Sequence, residues 1–299
     1  GFTFDMLLKA DTSGLYTQPF HGNFFGNFDV QIAHGFISYE NEYLNLTAGS
    51  KPSIDVVNSP YSLFINGSGV TIPGLTLTYL NEHFMFHEQW MLLGKDSVYG
   101  WPDRSAVFKT YAVRFNKLRL GFQDSAVAAG TMMDPLDVLI PAPSFLIQYI
   151  ALAPGRPWTA DISIPGTNKN SIMGFFADYT ADTWYAYSQI LVDDLDMNRF
   201  FDPNGTLNPD KLAFSLGGHY DAPNKNRISA YLGLALKYTF QAFGDTKTNT
   251  MYGYTRWPVT AYEPINGTWQ VIPIEDNMIG YKNGENDLSL QLGWEGQPF

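Results

Sequence analysis

Residues 227–240, RISAYLGLALKYTF, alternate without a break. Ile228, Ala230, Leu232, Leu234, Leu236, Tyr238 and Phe240 share one parity, and Ser229, Tyr231, Gly233, Ala235, Lys237 and Thr239 share the other. Side chains of an extended strand point alternately to opposite faces, so this pattern dictates a β-strand with one apolar face and one small or polar face. Residues 286–294, NDLSLQLGW, repeat it, with Leu288, Leu290, Leu292 and Trp294 opposed to Asp287, Ser289, Gln291 and Gly293. The run 228–240 is longer than the common globular strand of about 5–6 residues and suits a tilted membrane-crossing strand, which takes roughly 9–11.

The same alternation recurs through the chain. Residues 105–115 and 117–127 flank Asn116 and read as a hairpin with a tight turn, its apolar face carrying Val107, Tyr111, Val113 and Phe115, with Lys109 the exception. Residues 211–220 and 227–240 make a second hairpin around DAPNKN. Further candidates are 27–38, 41–49, 61–66, 70–80, 83–93, 145–151, 171–179, 183–193 and 251–256. Short turns alternate with long Pro-, Asn- and Gly-rich segments at 94–104, 152–170, 194–210 and 257–286. That is the organisation of a transmembrane antiparallel β-barrel of about 14–18 strands with its long loops on one side. No internal repeat or linker divides the chain, so residues 1–299 are one domain.

Composition agrees. Charged residues are 16% of the chain, below the roughly 25% of an average soluble domain, and aromatics are also 16%. Trp184, Tyr220, Tyr238 and Trp294 at strand ends suit interfacial girdles. Cysteine is absent, which excludes disulfides and thiolate metal sites. The net charge of −11 disfavours a nucleic-acid partner. No run of apolar residues is long and unbroken enough for a membrane-spanning helix; the nearest, 135–154, holds four prolines and Asp137 and reads as a loop followed by a strand. The chain begins at Gly1, which fits removal of a signal peptide and export to a bacterial outer membrane.

Motifs for chemistry are sparse, and the chain is read as a non-enzyme without a cofactor. The acidic stretch 192–210 contains Asp202 and Asn204, which superficially resemble part of a calcium loop, but the spacing of a full loop is missing and a capped turn is the simpler reading. His83 and His87 would be too far apart along a strand to share an ion and read as polar residues facing a lumen. Asn45, Asn66, Asn204 and Asn266 stand in N-x-S/T triplets and are taken as turn residues. The binding candidates are aromatics and polar neighbours of the long loops: Trp101, Asp103, Arg104, Arg156, Trp158, Arg256, Trp257, Tyr262 and Trp269. Sugar rings stack on aromatic faces while Asp and Arg bind hydroxyls or acidic groups; the plain alternative is that these side chains pack the loops over the barrel mouth.

The later two thirds of the chain also resemble a known family. WYAYSQILVDDLD (184–196) resembles the strand ending in paired aspartates of the Wzi-type capsule-assembly outer-membrane proteins. PDKLAFSLGGHYDAP (209–223), ISAYLGLALKYTF (228–240), MYGYTRWPVTAYE (251–263) and NMIGYKNGENDLSLQLGW (277–294) are similar to successive later elements, and 108–143 to an upstream hairpin. The resemblance implies a monomeric, non-enzymatic outer-membrane barrel that holds surface polysaccharide. Two other readings stand beside it: a diffusion porin whose inner face (Gln189, Ser229, Lys237, Gln291) lines water, and a soluble β-rich carbohydrate-binding protein.

Overall fold

The computed structural model describes residues 1–11, 23–24, 28–66, 71–93, 103–147, 169–194, 209–240, 252–257, 261–265, 268–271 and 274–296. It is all-β. The strands are β1 (Phe2–Asp11), β2 (Asn23–Phe24), β3 (Phe28–Glu40), β4 (Leu44–Pro52), β5 (Thr71–Leu80), β6 (Phe84–Leu92), β7 (Arg104–Phe115) and β8 (Leu118–Ala129), followed by β9 (Lys169–Thr180), β10 (Trp184–Asp194), β11 (Lys211–Ala222), β12 (Asn226–Ala235), β13 (Ala261–Ile265), β14 (Thr268–Val271) and β15 (Asp287–Glu295). Two short helices, α1 (Pro135–Leu139) and α2 (Ile274–Asn277), lie in the connections.

One antiparallel sheet runs β1-β3-β4-β5-β6-β7-β8-β9-β10-β11-β12-β15, with β2 beside β3; β13 and β14 form a separate hairpin. The main path thus holds twelve strands among the described residues, fewer than the 14–18 expected. Three candidates explain the excess. Residues 61–66 are a buried irregular turn, 145–147 of the candidate 145–151 belong to a helical turn, and 252–256 of the candidate 251–256 carry only an isolated bridge, Thr255 to Met278. Short apolar runs in a protein interior look like strands in sequence because burial alone makes them continuous. In the other direction, β1 escaped the sequence reading.

Connections alternate in length along the path. At one rim, two or three residues join each pair, at 41–43, 81–83, 116–117, 181–183 and 223–225. Two of these turns share one device: the Asn41 carboxamide oxygen accepts from the N–H groups of Tyr43 and Leu44, both at 2.9 Å, and Asn81 does the same for His83 and Phe84 at 2.9 and 2.7 Å. An Asn side chain imitating a backbone turn this way fixes a tight reversal. Asn116 takes the left-handed conformation (φ 54°) that the two-residue hairpin needs. β1 begins and β15 ends at this same rim, while all the long connections lie at the other.

The long strand expected over 227–240 stops at Ala235. Thr239 donates from its hydroxyl to the carbonyls of Leu236 and Leu212, at 2.7 and 3.0 Å, and Phe240 is buried against Tyr254. β12 is therefore ten residues long, within the membrane-crossing range. The segment 135–154, expected to be a loop and a strand, instead opens with α1. Asp134 caps it by accepting from the N–H of Leu136 at 3.0 Å, and Pro135 occupies the first turn, where its missing N–H costs nothing.

Alternation places opposite chemistry on the two faces of the sheet. One face, here called inner, carries Arg104, Thr110, Arg119, Gln123, Asp178, Gln189 and Ser215 and is covered by residues 53–66, 252–257 and 274–284. The outer face carries Phe4, Ile37, Leu75, Val113, Phe115, Leu120, Phe175, Ile190, Ile228, Leu288, Leu290, Leu292 and Trp294, all exposed; Leu290 and Leu292 are 65% and 72% accessible. Large apolar side chains thus stand exposed on the outer face, while Arg104, Arg119 and Asp178 are turned inward beside buried apolar residues such as Phe108, Ile172 and Leu191.

Candidate functional site

The interior is built by three segments that return from the long-loop rim and bind one another. The Asn66 side chain donates to the carbonyl of Glu275 at 2.7 Å, the Tyr254 hydroxyl donates to the Phe64 carbonyl at 3.2 Å, and the rings of Tyr61 and Tyr281 meet at 5.9 Å. Leu63, Phe64, Tyr254, Ile279 and Tyr281 are fully buried in the resulting apolar cluster. Gly233 of β12 makes room for it: a Cβ there would lie 2.5 Å from the Tyr281 hydroxyl.

Inner-face polar side chains hold these segments. The Asp55 carboxylate accepts from Gln123 Nε2 (2.8 Å), Gln189 Nε2 (3.1 Å) and the N–H groups of Phe64 (3.1 Å) and Ile65 (3.2 Å). Gln189 further donates to Gln123 Oε1 at 2.6 Å and accepts from the N–H of Leu63 at 2.8 Å. Burial raises the pKa of Asp55, and the hydrogen bonds it accepts from Gln123, Gln189, Ile65 and Phe64 offset that only in part. Lower down, Tyr185 accepts from the N–H of Asn58 at 3.0 Å, Tyr187 is hydrogen-bonded to Ser59 and Ser215, and Arg119 pairs with Asp178 and donates to the Val56 carbonyl at 2.8 Å. Satisfied networks of this kind fix the geometry of the loop they hold.

The expected binding residues divide into three groups. Trp101, Arg156 and Trp158, and the weak metal candidates Asp202 and Asn204, lie outside the described residues. Tyr262 and Trp269 lie on the β13–β14 hairpin, where Tyr262 is paired with Gln270. Asp103, Arg104, Arg256 and Trp257 come together at the long-loop end of β7. The Asp103 carbonyl accepts from the N–H of Gly130 at 2.7 Å. Arg104 is fully buried and donates to the carbonyls of Gly253 (2.7 Å) and Arg256 (3.3 Å), so it clamps the 252–257 segment onto the sheet. The Arg256 guanidinium stacks 4.3 Å from the Trp257 ring, and buried Trp257 donates from its N–H to Asn277 Oδ1 at 2.8 Å.

His83 sits in the exposed 81–83 turn, while His87 is on the inner face, 2.8 Å from the Thr78 hydroxyl. Among the described residues no group of three His, Asp or Glu is placed to share a metal ion. His87 borders an inner cavity of about 360 Å³ that reaches the short-turn rim and is lined also by Asn45, Thr47, Lys51, Thr78 and Gln89.

The outer face holds what the sequence reading missed. Cross-strand register brings Glu88, Lys109 and Asp124 into one row across β6, β7 and β8, and Lys169 of β9 follows on the same face. Residues 134–147 lie over this row. Lys109 Nζ donates to the carbonyls of Ile140 (2.9 Å) and Ala142 (2.8 Å), Asp124 accepts from the N–H of Ser144 (2.6 Å), and Lys169 pairs with Asp134 (2.7 Å) and Asp137 (2.5 Å). Burial raises the pKa of Asp137, with the ammonium of Lys169 opposing it. The signal in the sequence is a charge within an otherwise apolar parity: Lys109 in β7, and equally Glu88 in β6 and Asp124 in β8. A scan against protein-family models and a search of curated proteins both find nothing that matches this chain.

Proposed function

We propose that this chain is a monomeric outer-membrane β-barrel, closed by β1 against β15, whose interior is filled by its own loops and whose long-loop rim binds or helps to assemble surface polysaccharide. The observation that carries the membrane reading is the outer face: Phe, Leu, Ile and Trp stand exposed there, while Arg104, Asp178 and Gln189 are buried on the inner face beside apolar residues such as Phe108, Ile172 and Leu191. In water such a face would lose roughly 25 cal/mol for every Å² of apolar surface left wet. In lipid it is the stable arrangement. Supporting it are strands of 9–13 residues, an even number on the path, short turns at one rim and long loops at the other. On this path β1 and β15 run antiparallel to each other, and each has one edge without a strand partner among the described residues. Pairing them satisfies the backbone groups that lipid cannot.

The resemblance of about 105–294 to capsule-assembly proteins supports the polysaccharide assignment, and Asp103 and Arg256, both partly exposed near the long-loop end of β7, are the candidate groups, whereas Trp257 is buried. The filled interior favours an anchor over an open pore. A diffusion porin is the second reading, favoured by the polar inner cavity beside His87 and Lys51.

Folded protein in detergent is expected to migrate faster on gels before boiling than after, and to give no large steady conductance in planar bilayers. Large conductance would turn the assignment to a porin. Absence of both heat-modifiability and detergent dependence would leave a soluble carbohydrate-binding protein. Retention on immobilised capsular polysaccharide, lost on proteolytic shaving of the long loops, tests the ligand.

A further inference from the structure

Where the outer face passes beneath α1, it is not a smooth apolar wall. Ile37, Leu46, Leu75, Leu77 and Trp90, with Val138 of α1, line an apolar groove of about 400 Å³ that also includes Glu88. That volume lies within the usual range of small-molecule pockets, which are mostly apolar with a few placed polar groups. Glu88 is the polar group here. It is more than nine-tenths buried, and one carboxylate oxygen has no hydrogen-bond partner. Its neighbours are otherwise engaged. Lys109, directly opposite on β7, donates to the carbonyls of Ile140 and Ala142. Asp124 is held by the N–H groups of Ser144 and Phe145, and Lys169 is shared between Asp134 and Asp137. Among the described residues Glu88 is thus the one charged side chain that lines the groove, and the row beyond it, with the segment that covers it, holds Asp124, Asp134 and Asp137 against Lys109 and Lys169. A buried carboxylate in a net acidic surround gains most from a cation, because an opposite charge offsets its lost hydration.

We infer that this groove binds a small apolar molecule carrying a single ammonium group, with the ammonium on Glu88 and the apolar body along Leu75, Leu77 and Trp90. The face of Trp90 suits such a ligand as well, since an indole ring attracts cations. The inference stands on the groove itself and holds whether or not the surrounding face lies in lipid, so it can fail without the barrel reading failing.

The test is calorimetric titration of the full chain with three water-soluble probes that differ in one group: 4-phenylbutylamine, 4-phenylbutanol and 4-phenylbutyrate. The amine is expected to bind at least tenfold more tightly than the alcohol, and the carboxylate not measurably. Glu88→Gln is expected to bring the amine down to the alcohol. Leu75→Trp, a substitution at an exposed position of the outer face, is expected to abolish binding of both by filling the groove, with the circular-dichroism spectrum and heat-modifiable migration of the wild type retained. Equal binding of all three probes, tighter binding of the carboxylate, or amine binding unaffected by Leu75→Trp would each overturn the inference.

Discussion

Asp55 shows how one side chain can organise a whole segment. Its carboxylate collects donors from two strands of the sheet and from two backbone N–H groups of its own loop. Asp55→Ala leaves those donors buried and unpaired, at a cost of about 3 kcal/mol. Because burial raises its pKa in the folded state, the native protein holds a proton there at pH values where the unfolded chain has released it. Its contribution to stability is complete below the ordinary Asp value and is lost as pH rises through the raised one. Unfolding midpoints measured in denaturant across that window are expected to fall with rising pH in the wild type and to flatten in Asp55→Asn. An unchanged slope in the variant would assign the dependence to another group. Nothing in the sequence around SIDVVNSP distinguishes this Asp from a solvated turn residue, since the only local donor is the N–H of Val57 at 3.4 Å and the other four come from the far side of the loop or from distant strands.

Elements were legible where they alternate and illegible where they fold inward. The hairpins β7–β8 and β11–β12, and the final strand β15, fall where the pattern put them, with Asn116 at the turn. Residues 61–66 and 251–256 were expected to be strands; 61–66 and the described part of the latter, 252–256, are irregular segments that cover the inner face. Apolar residues pack an interior equally well in a turn, and only the contacts with Gln189, Arg104 and Gly233 decide which it is. Lys109 is the instructive case: a charge in the apolar register marked the place where another element covers the sheet, but its partners are backbone carbonyls that no pattern reveals. At this scale the cover of the inner face depends on one missing side chain. Gly233→Val drives a branched Cβ into the Tyr281 ring, and we expect it to dislodge 274–284 from the sheet. Trypsin should then cut at Lys282 at least tenfold faster than in the wild type, and brief conductance steps should appear in bilayers. Cleavage at the wild-type rate would mean that Tyr281 is not what seats the segment.

For the whole molecule the question is what medium meets the outer face. Leu290, halfway along β15, is exposed and points outward; Glu42 is exposed in a short turn. If the face lies in lipid, Leu290→Arg costs about 2–4 kcal/mol on folding into vesicles. Glu42→Arg, at the rim, should change little. A soluble sheet would tolerate both within about 0.5 kcal/mol, as ordinary surface substitutions do. Reversible unfolding in lipid vesicles measures the difference directly, and equal, negligible costs would remove the membrane reading.

By itself the sequence determined that the chain is β-structure with one apolar and one polar face, because a period of two is that of an extended strand, and the tight turns between successive strands made it antiparallel. It also set where most strands run and which residues share a face. Which face is inside was decided only by the tertiary structure. Alternation is symmetric between an apolar core and an apolar exterior, and the sign is set by what packs against each side. Here that is three returning loops, tied to Asp55, Gln189 and Arg104 across more than a hundred residues of chain, and a short helix laid over a row of charges. Those contacts are long-range, and no local pattern encodes them.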